Sequence, residues 1–264
     1  MMRPLRSIGS LLSMLGIDLR KTALFARGLP WYFRDYLALR RQRRASPLKF
    51  DLAKPYPCLG DRAGDSGSAR GHYFHQDLLV ARRIFVNNPV VHLDVGSRID
   101  GFVAHVASFR AIQVADIRQL DSRIPNVTFR QADFMSPIPE DLVACCDSLS
   151  CLHAIEHFGL GRYGDPVRYD GYILGLDNLH RALKPSGRLY LSAPIGPQRI
   201  EFNAHRIFSV AHLVECCTGR FRIDRFSFVD DEGRLHEDVP LAEDRVHDNF
   251  GCTHGCGILE MTKL

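Results

Sequence analysis

The stretch Val90-Val91-His92-Leu93-Asp94-Val95-Gly96 constrains the fold more than any other part of this sequence. A short, mostly apolar run that ends on an acid and a glycine reads as a strand buried on both faces, because a half-exposed strand would alternate polar and apolar residues. Residues 93–101 then make a tight loop, and a helical pattern follows at 102–109. The same pattern recurs down the chain. Apolar residues at helical spacing over 76–85 precede the first strand, with Asn87, Asn88 and Pro89 as a stop signal. Further strands are expected at 111–115, 127–130, 142–152 and 187–193. Between the last two, Ile173, Leu174, Leu176, Leu179 and Leu183 line one side of a helix over 171–183, closed by Pro185 and Gly187. Strands alternating with helices specify an α/β fold with a Rossmann-like, doubly wound, mostly parallel sheet. Residues 221–229, a turn at 231–233 and residues 255–261 depart from the pattern and predict antiparallel C-terminal strands.

The first residues are of another kind. Helical spacing predicts a helix over 3–19, and Pro30 opens a second over 31–44. In the second, Trp31, Tyr36, Leu37 and Leu39 form an apolar side, and Arg40, Arg41, Arg43 and Arg44 a basic end. Prolines within 47–57 and Gly, Ser and Asp at 60–71 make the rest a loop or linker. The expected division is a basic helical extension and loop at 1–70, then the main domain at 71–264. Charge follows that division. Residues 1–50 carry a balance of +9 and the remainder −5, although the whole chain is only +4. An acidic main domain speaks against nucleic acid as a partner, since phosphate binding needs clustered positive charge. The basic head suits peripheral contact with anionic lipid at the inner membrane face, or a solvated helix face. Residues 10–17 are too short and lack a small-residue cleavage site for a secretory signal. The eight cysteines show no disulfide spacing, and reduced thiols in a cytoplasmic compartment are expected.

The strand ends carry the chemistry. Gly96, with Ser97, lets the backbone approach a ligand, and Asp94 can accept hydrogen bonds. Asp116, followed by Ile117, ends the second strand, where a carboxylate can hold both ribose hydroxyls. Asp133 follows the third strand and can accept from an exocyclic amine, with Phe134 against a purine ring. The dinucleotide fingerprint wants a glycine where Arg98 stands, so S-adenosyl-L-methionine is expected ahead of a nicotinamide cofactor. Arg98 itself can pair with the methionine carboxylate or obstruct the pocket. His72, Tyr73, His75, Gln76 and Asp77 can close that pocket from above or cap their own helix.

These residues resemble class I methyltransferases, including the Leu183-Lys184-Pro185-Ser186-Gly187-Arg188-Leu189 turn, with Ser186 in place of a glycine. A closer resemblance is to domain-of-unknown-function family 268. It is carried by residues 71–78, by Asp94-Val95-Gly96-Ser97-Arg98-Ile99-Asp100-Gly101-Phe102, by residues 151–165 and by Arg199-Ile200-Glu201-Phe202-Asn203-Ala204-His205-Arg206-Ile207-Phe208. The likeness runs from about residue 29 to the C-terminus. It implies a methyltransferase-like fold and frequent association with bacterial surface-polysaccharide genes, without a fixed reaction. Methyl transfer to a small-molecule or glycan-linked acceptor is the leading expectation. A non-catalytic binding or scaffold protein of glycan assembly and a nicotinamide-dependent sugar-modifying enzyme are the alternatives.

The acceptor side is expected after the fourth and fifth strands. Glu156, or a neutral His153, His157 or His205, can take a proton from a hydroxyl, and Arg162, Tyr163, Arg199, Asn203 and Arg206 can bind a sugar. His153-x-x-Glu156-His157 spells a zinc-peptidase pattern, but the glycines at 159, 161 and 164 break the helix it needs. Cys252-Thr253-His254-Gly255-Cys256 lacks a second pair at finger spacing. No metal is expected on these grounds.

Overall fold

A computed structural model describes residues 16, 18–48, 50–63, 67 and 69–264. The helix expected over 3–19 lies almost wholly outside them. The chain divides into two compact units, residues 1–68 and 69–264.

In the first unit, helix α1 (Leu19–Ala45) runs straight through Pro30. The expected helix start at Pro30 is therefore corrected to an interior position. Proline costs one backbone hydrogen bond there, and the strong helix formers on either side outweigh it. The true start is Asp18, whose Oδ1 accepts from the Lys21 N–H at 3.0 Å. No helix among the described residues is long and apolar enough to cross a membrane.

The second unit is one eight-stranded sheet in the order β3-β2-β1-β4-β5-β10-β8-β9, with helices on both faces. Its strands are β1 (His92–Val95), β2 (Ile112–Asp116), β3 (Val127–Gln131), β4 (Cys146–Leu152), β5 (Leu183–Ile195), β8 (Phe221–Val229), β9 (Leu235–His236) and β10 (Gly255–Lys263). Strands β1 to β5 pair in parallel. β10 is antiparallel to both β5 and β8, so it alone among the long strands runs against the sheet. A separate hairpin, β6 (Arg199–Glu201) with β7 (His205–Ile207), folds the stretch read from sequence as a loop. Three-residue strands with mixed polarity leave no periodic trace, which is why the hairpin is silent in the sequence.

The apolar patterns explain the layers. On one face pack α2 (His72–Asn87) and the turn Ile99–Val103 with α3 (Ala104–Ala107), burying Ile84, Phe102 and Val106 against Ile112 and Val114. On the other face α4 (Gly171–Ala182) and α5 (Val210–Cys217) bury Leu176, Leu179 and Leu213 against Leu149, Leu189 and Leu191. Full burial of one such leucine contributes about 1.5–3 kcal/mol. The Lys-Pro-Ser-Gly turn is absorbed into β5. Leu183 pairs with Cys146 and Arg188 with Ser148, so residues 184–187 loop out of register. Ser186 takes φ +60° there, where a glycine would sit without strain.

Candidate active site

A cleft of about 340 Å³ opens at the carboxyl edge of β1, β2 and β4, within the size range of small-molecule sites. In a doubly wound sheet this edge is where ligands bind. Gly96 leaves β1 at φ +75°, a left-handed conformation, and a Cβ there would stand 2.9 Å from that of Ala154. Glycine therefore keeps the cleft floor bare.

Beneath the floor lies a polar ladder. Asp94 is wholly buried and its Oδ1 accepts from Ser97 Oγ at 2.6 Å and Ser150 Oγ at 2.5 Å. Its Oδ2 accepts from the Ser97 N–H at 3.1 Å. Ser150 spends its proton on Asp94, so His92 Nε2 donates to Ser150 (3.1 Å) and His92 Nδ1 accepts from Ser148 (2.8 Å). Burial pushes the Asp94 carboxyl up to about 7 and the His92 imidazole down to about 3. Asp94 and Ser97, expected as cofactor ligands, thus face inward and tie the loop to β4. Asp133 is likewise turned to its own loop: its carboxylate accepts from the Met135 N–H and Ser136 Oγ, both at 2.8 Å. Each of these three side chains is engaged by local hydrogen bonds that anchor its loop, and none of the three lines the cleft.

Gly96, Arg98, Asp116, Ile117 and Phe134 do line the cleft. Asp116 is held by Arg118, whose Nε and Nη2 donate to its two oxygens at 3.0 and 2.8 Å. Arg118 also lies over the Tyr163 ring, 4.4 Å from its centroid. Arg98 is turned aside by a two-point pair with Asp100 and sits over Tyr73 at 5.1 Å. It forms a wall of the cleft and leaves the floor open. Arg118 is a charged cleft residue that the sequence reading missed; its position two residues beyond the strand-end acid is the signal that could have found it.

The far end of the cleft is built by the segment after β4. His153 holds φ +49°, costly for a non-glycine residue, and is pinned by its N–H to Ser192 O and Oγ. His153 Nδ1 lies 2.7 Å from Glu156 Oε1, and Glu156 is almost fully buried. Burial opposes charge on both groups, but the contact overrides it. The Glu156 carboxyl is lowered by His153, and the His153 imidazole is raised, with Cys256 and Glu156 pulling it up. His157 also lines the cleft; its Nδ1 donates to Ala204 O at 2.7 Å, and burial lowers its pKa. Arg162 and Tyr163 complete this wall.

The remaining expected residues sit elsewhere. Arg206 is nearly buried and donates to the carbonyls of Glu156, Phe158, Arg168 and Tyr169. It is a latch on the 156–169 segment, with both terminal nitrogens spent on carbonyls and its buried Nε left without a partner. Arg199 binds Glu201 and the carbonyls of Pro197 and Thr253. Asn203 turns the β6–β7 hairpin at φ +65°. His205 stacks loosely on His254, with ring centroids 5.3 Å apart, and does not line the cleft. The hairpin backs the cleft wall, with the Ala204 carbonyl accepting from His157 and Arg162, and none of these four side chains lines the cleft itself.

The sheet order and the lone reversed β10 define an α/β fold of the class I methyltransferase type, with a cleft at its carboxyl edge. The chain belongs to the DUF268 family, described as a Caenorhabditis protein of unknown function, whose sequence model matches residues 117–250. No curated protein matches the sequence. Among solved structures, the chain resembles the [4+2]-cyclase SpnF at 17% identity and a TM-score of 0.52, over 75% of this chain and 85% of that one. It also resembles the 1,6-didemethyltoxoflavin-N1-methyltransferase of Burkholderia thailandensis (15% identity, 71% and 78% coverage, TM-score 0.48). A third is the N-methyltransferase NodS of Bradyrhizobium japonicum WM9 (11% identity, 73% and 88% coverage, TM-score 0.48).

Proposed function

We propose that this chain binds S-adenosyl-L-methionine in the cleft and transfers its methyl group to a hydroxyl of a carbohydrate or glycan-linked acceptor, in surface-polysaccharide biosynthesis. The observation that carries the reading is the bare Gly96 corner facing the Asp116 carboxylate and the buried Phe134 ring across one cleft. Asp116 would hold the ribose hydroxyls once Arg118 swings aside, Phe134 would pack on the adenine, and Arg98 would meet the methionine carboxylate. When bound, the sulfonium supplies the methyl group: its C–S bond breaks as the O–CH3 bond forms, leaving S-adenosylhomocysteine and an ether. His157, held neutral by burial, takes the acceptor's proton, and Glu156 orients the two histidines beside it. Arg162 and Tyr163 offer a donor and a ring face to a sugar. The cytoplasm supplies this cofactor, and the basic residues 1–50 would bring the enzyme to an anionic membrane face.

The test is methyl-labelled S-adenosylmethionine incubated with the purified chain and with polysaccharide and lipid-linked oligosaccharide fractions. Label is expected in glycan as an alkali-stable ether, and is expected to be lost in Asp116→Ala. Label confined to protein or to non-carbohydrate small molecules would reject the glycan acceptor.

A further inference from the structure

Three segments that share no local motif meet at His153, which lines the cleft. His72 opens α2, His153 follows β4, and Cys256 lies within β10. One donor atom from each, two imidazole nitrogens and the Cys256 sulfur, lie within 4.8 Å of one another. Cys256 is fully buried, His153 is 9% exposed, and His72 is half-buried, leaving a path from solvent.

The decisive atom is His153 Nε2. Its partner nitrogen, Nδ1, faces the Glu156 carboxylate at 2.7 Å. A carboxylate only accepts, so Nδ1 carries the hydrogen, and Nε2 offers a lone pair once the proton that Glu156 and Cys256 favour there has left, as binding of a cation requires. That Nε2 is buried and has no hydrogen-bond partner. An unmet buried polar atom costs about 1–3 kcal/mol and calls for an explanation. A carboxylate bound to one nitrogen of a histidine whose other nitrogen is free is the arrangement that orients metal-binding histidines.

We propose that His72, His153 and Cys256 bind a divalent cation of the zinc class, with Glu156 as the outer carboxylate and the fourth position open to the cleft that His153 lines. Two imidazoles and a thiolate favour zinc over magnesium or calcium, which take oxygen ligands. Three protein ligands with one open position is the pattern of sites that act on a bound water or substrate. Bond lengths of about 2.0–2.1 Å to nitrogen and about 2.3 Å to sulfur set tetrahedral donors about 3.3–3.6 Å apart. The three donors therefore need to close by roughly an ångström, which side-chain rotation supplies. The local sequence patterns mislead here. His157 Nδ1 is spent on Ala204, and the Cys252 thiol is directed to the Phe250 carbonyl, so each pattern contributes one ligand to a site that spans the fold. An acceptor hydroxyl on the open position would lose its proton more readily; that consequence rests on the methyl-transfer reading, whereas metal binding does not.

The experiment uses the full chain, stripped of metal, without S-adenosylmethionine, titrated with Co²⁺ and followed by absorption. One equivalent per chain is expected, with visible bands of tetrahedral strength and a near-ultraviolet thiolate-to-cobalt band. Cys256→Ser should abolish the thiolate band, His72→Ala should weaken binding at least tenfold, and Cys252→Ser should change neither. If Cys256→Ser does not fold, the half-buried His72→Ala carries the test. Absence of the cobalt spectrum overturns the proposal, as does a thiolate band that survives Cys256→Ser or an affinity indifferent to His72→Ala. A thiolate–imidazolium pair without metal would give the first of these results.

Discussion

Replacing Asp116 by alanine removes the one carboxylate that the cleft offers to a ribose, and the size of the effect follows from what Asp116 now holds. Its side chain is 13% exposed and that of Arg118 53%. Two hydroxyls donating to a carboxylate contribute about 1.5–3 kcal/mol each. Releasing the half-exposed Arg118 costs about 0.2–1 kcal/mol for the ion pair and about 0.5–1 kcal/mol for its stacking on Tyr163. The balance is about 1–5 kcal/mol with a midpoint near 3, so Asp116→Ala should weaken S-adenosylhomocysteine at least about 5-fold and on the order of 100-fold in calorimetric titration. Arg118→Ala removes the competitor and should tighten binding about 3- to 30-fold. That opposite sign is the informative part, because a general loss of structure would weaken binding in both variants. Binding within roughly threefold of the parent in Asp116→Ala, or weaker binding in Arg118→Ala, would refute the ribose assignment.

Other expectations follow from the same geometry. Arg206→Met strands four carbonyls of the 156–169 segment and should cost about 2–4 kcal/mol in urea unfolding; a loss under about 0.5 kcal/mol would show that the latch bears no load. Burial raises the Asp94 carboxyl from 3.8 to about 7, so between those values the folded chain keeps a proton that the unfolded chain has lost. Its contribution therefore falls as pH rises through that window. Asp94→Asn should gain on the parent in unfolding free energy from urea titration between pH 5 and pH 7, by about 3 kcal/mol at most, and a constant difference would contradict the shift. Vesicles rich in anionic lipid should float the full chain, and deletion of residues 1–50, with their +9 balance, should abolish flotation. Equal flotation of both would remove the membrane role.

The sheet was legible because its strands are short apolar runs bounded by acids, glycines and prolines, and each run reports its own burial. Asp94-Val95-Gly96 marked the correct edge, yet the sequence could not say which way the acid turns. That depends on Ser150, from a strand far along the chain. Pro30 looked like a helix start because its preference for that position is local, while continuity of α1 is decided by the residues on both sides. Arg206 read as a ligand because an arginine in a polar stretch carries no mark of the four carbonyls it meets after folding. The His72–His153–Cys256 cluster is the extreme case. Each member is unremarkable in its own segment, and only the closing of α2 and β10 on the end of β4 brings their donors together.

The most direct measurement of the cofactor reading is calorimetric titration of the full chain with S-adenosylhomocysteine, with reduced nicotinamide cofactor as the competitor class. Saturable binding at one site per chain is expected, displaced by S-adenosylmethionine and indifferent to the nicotinamide. No binding to the folded chain at millimolar ligand would contradict it, as would a site that takes the nicotinamide cofactor instead.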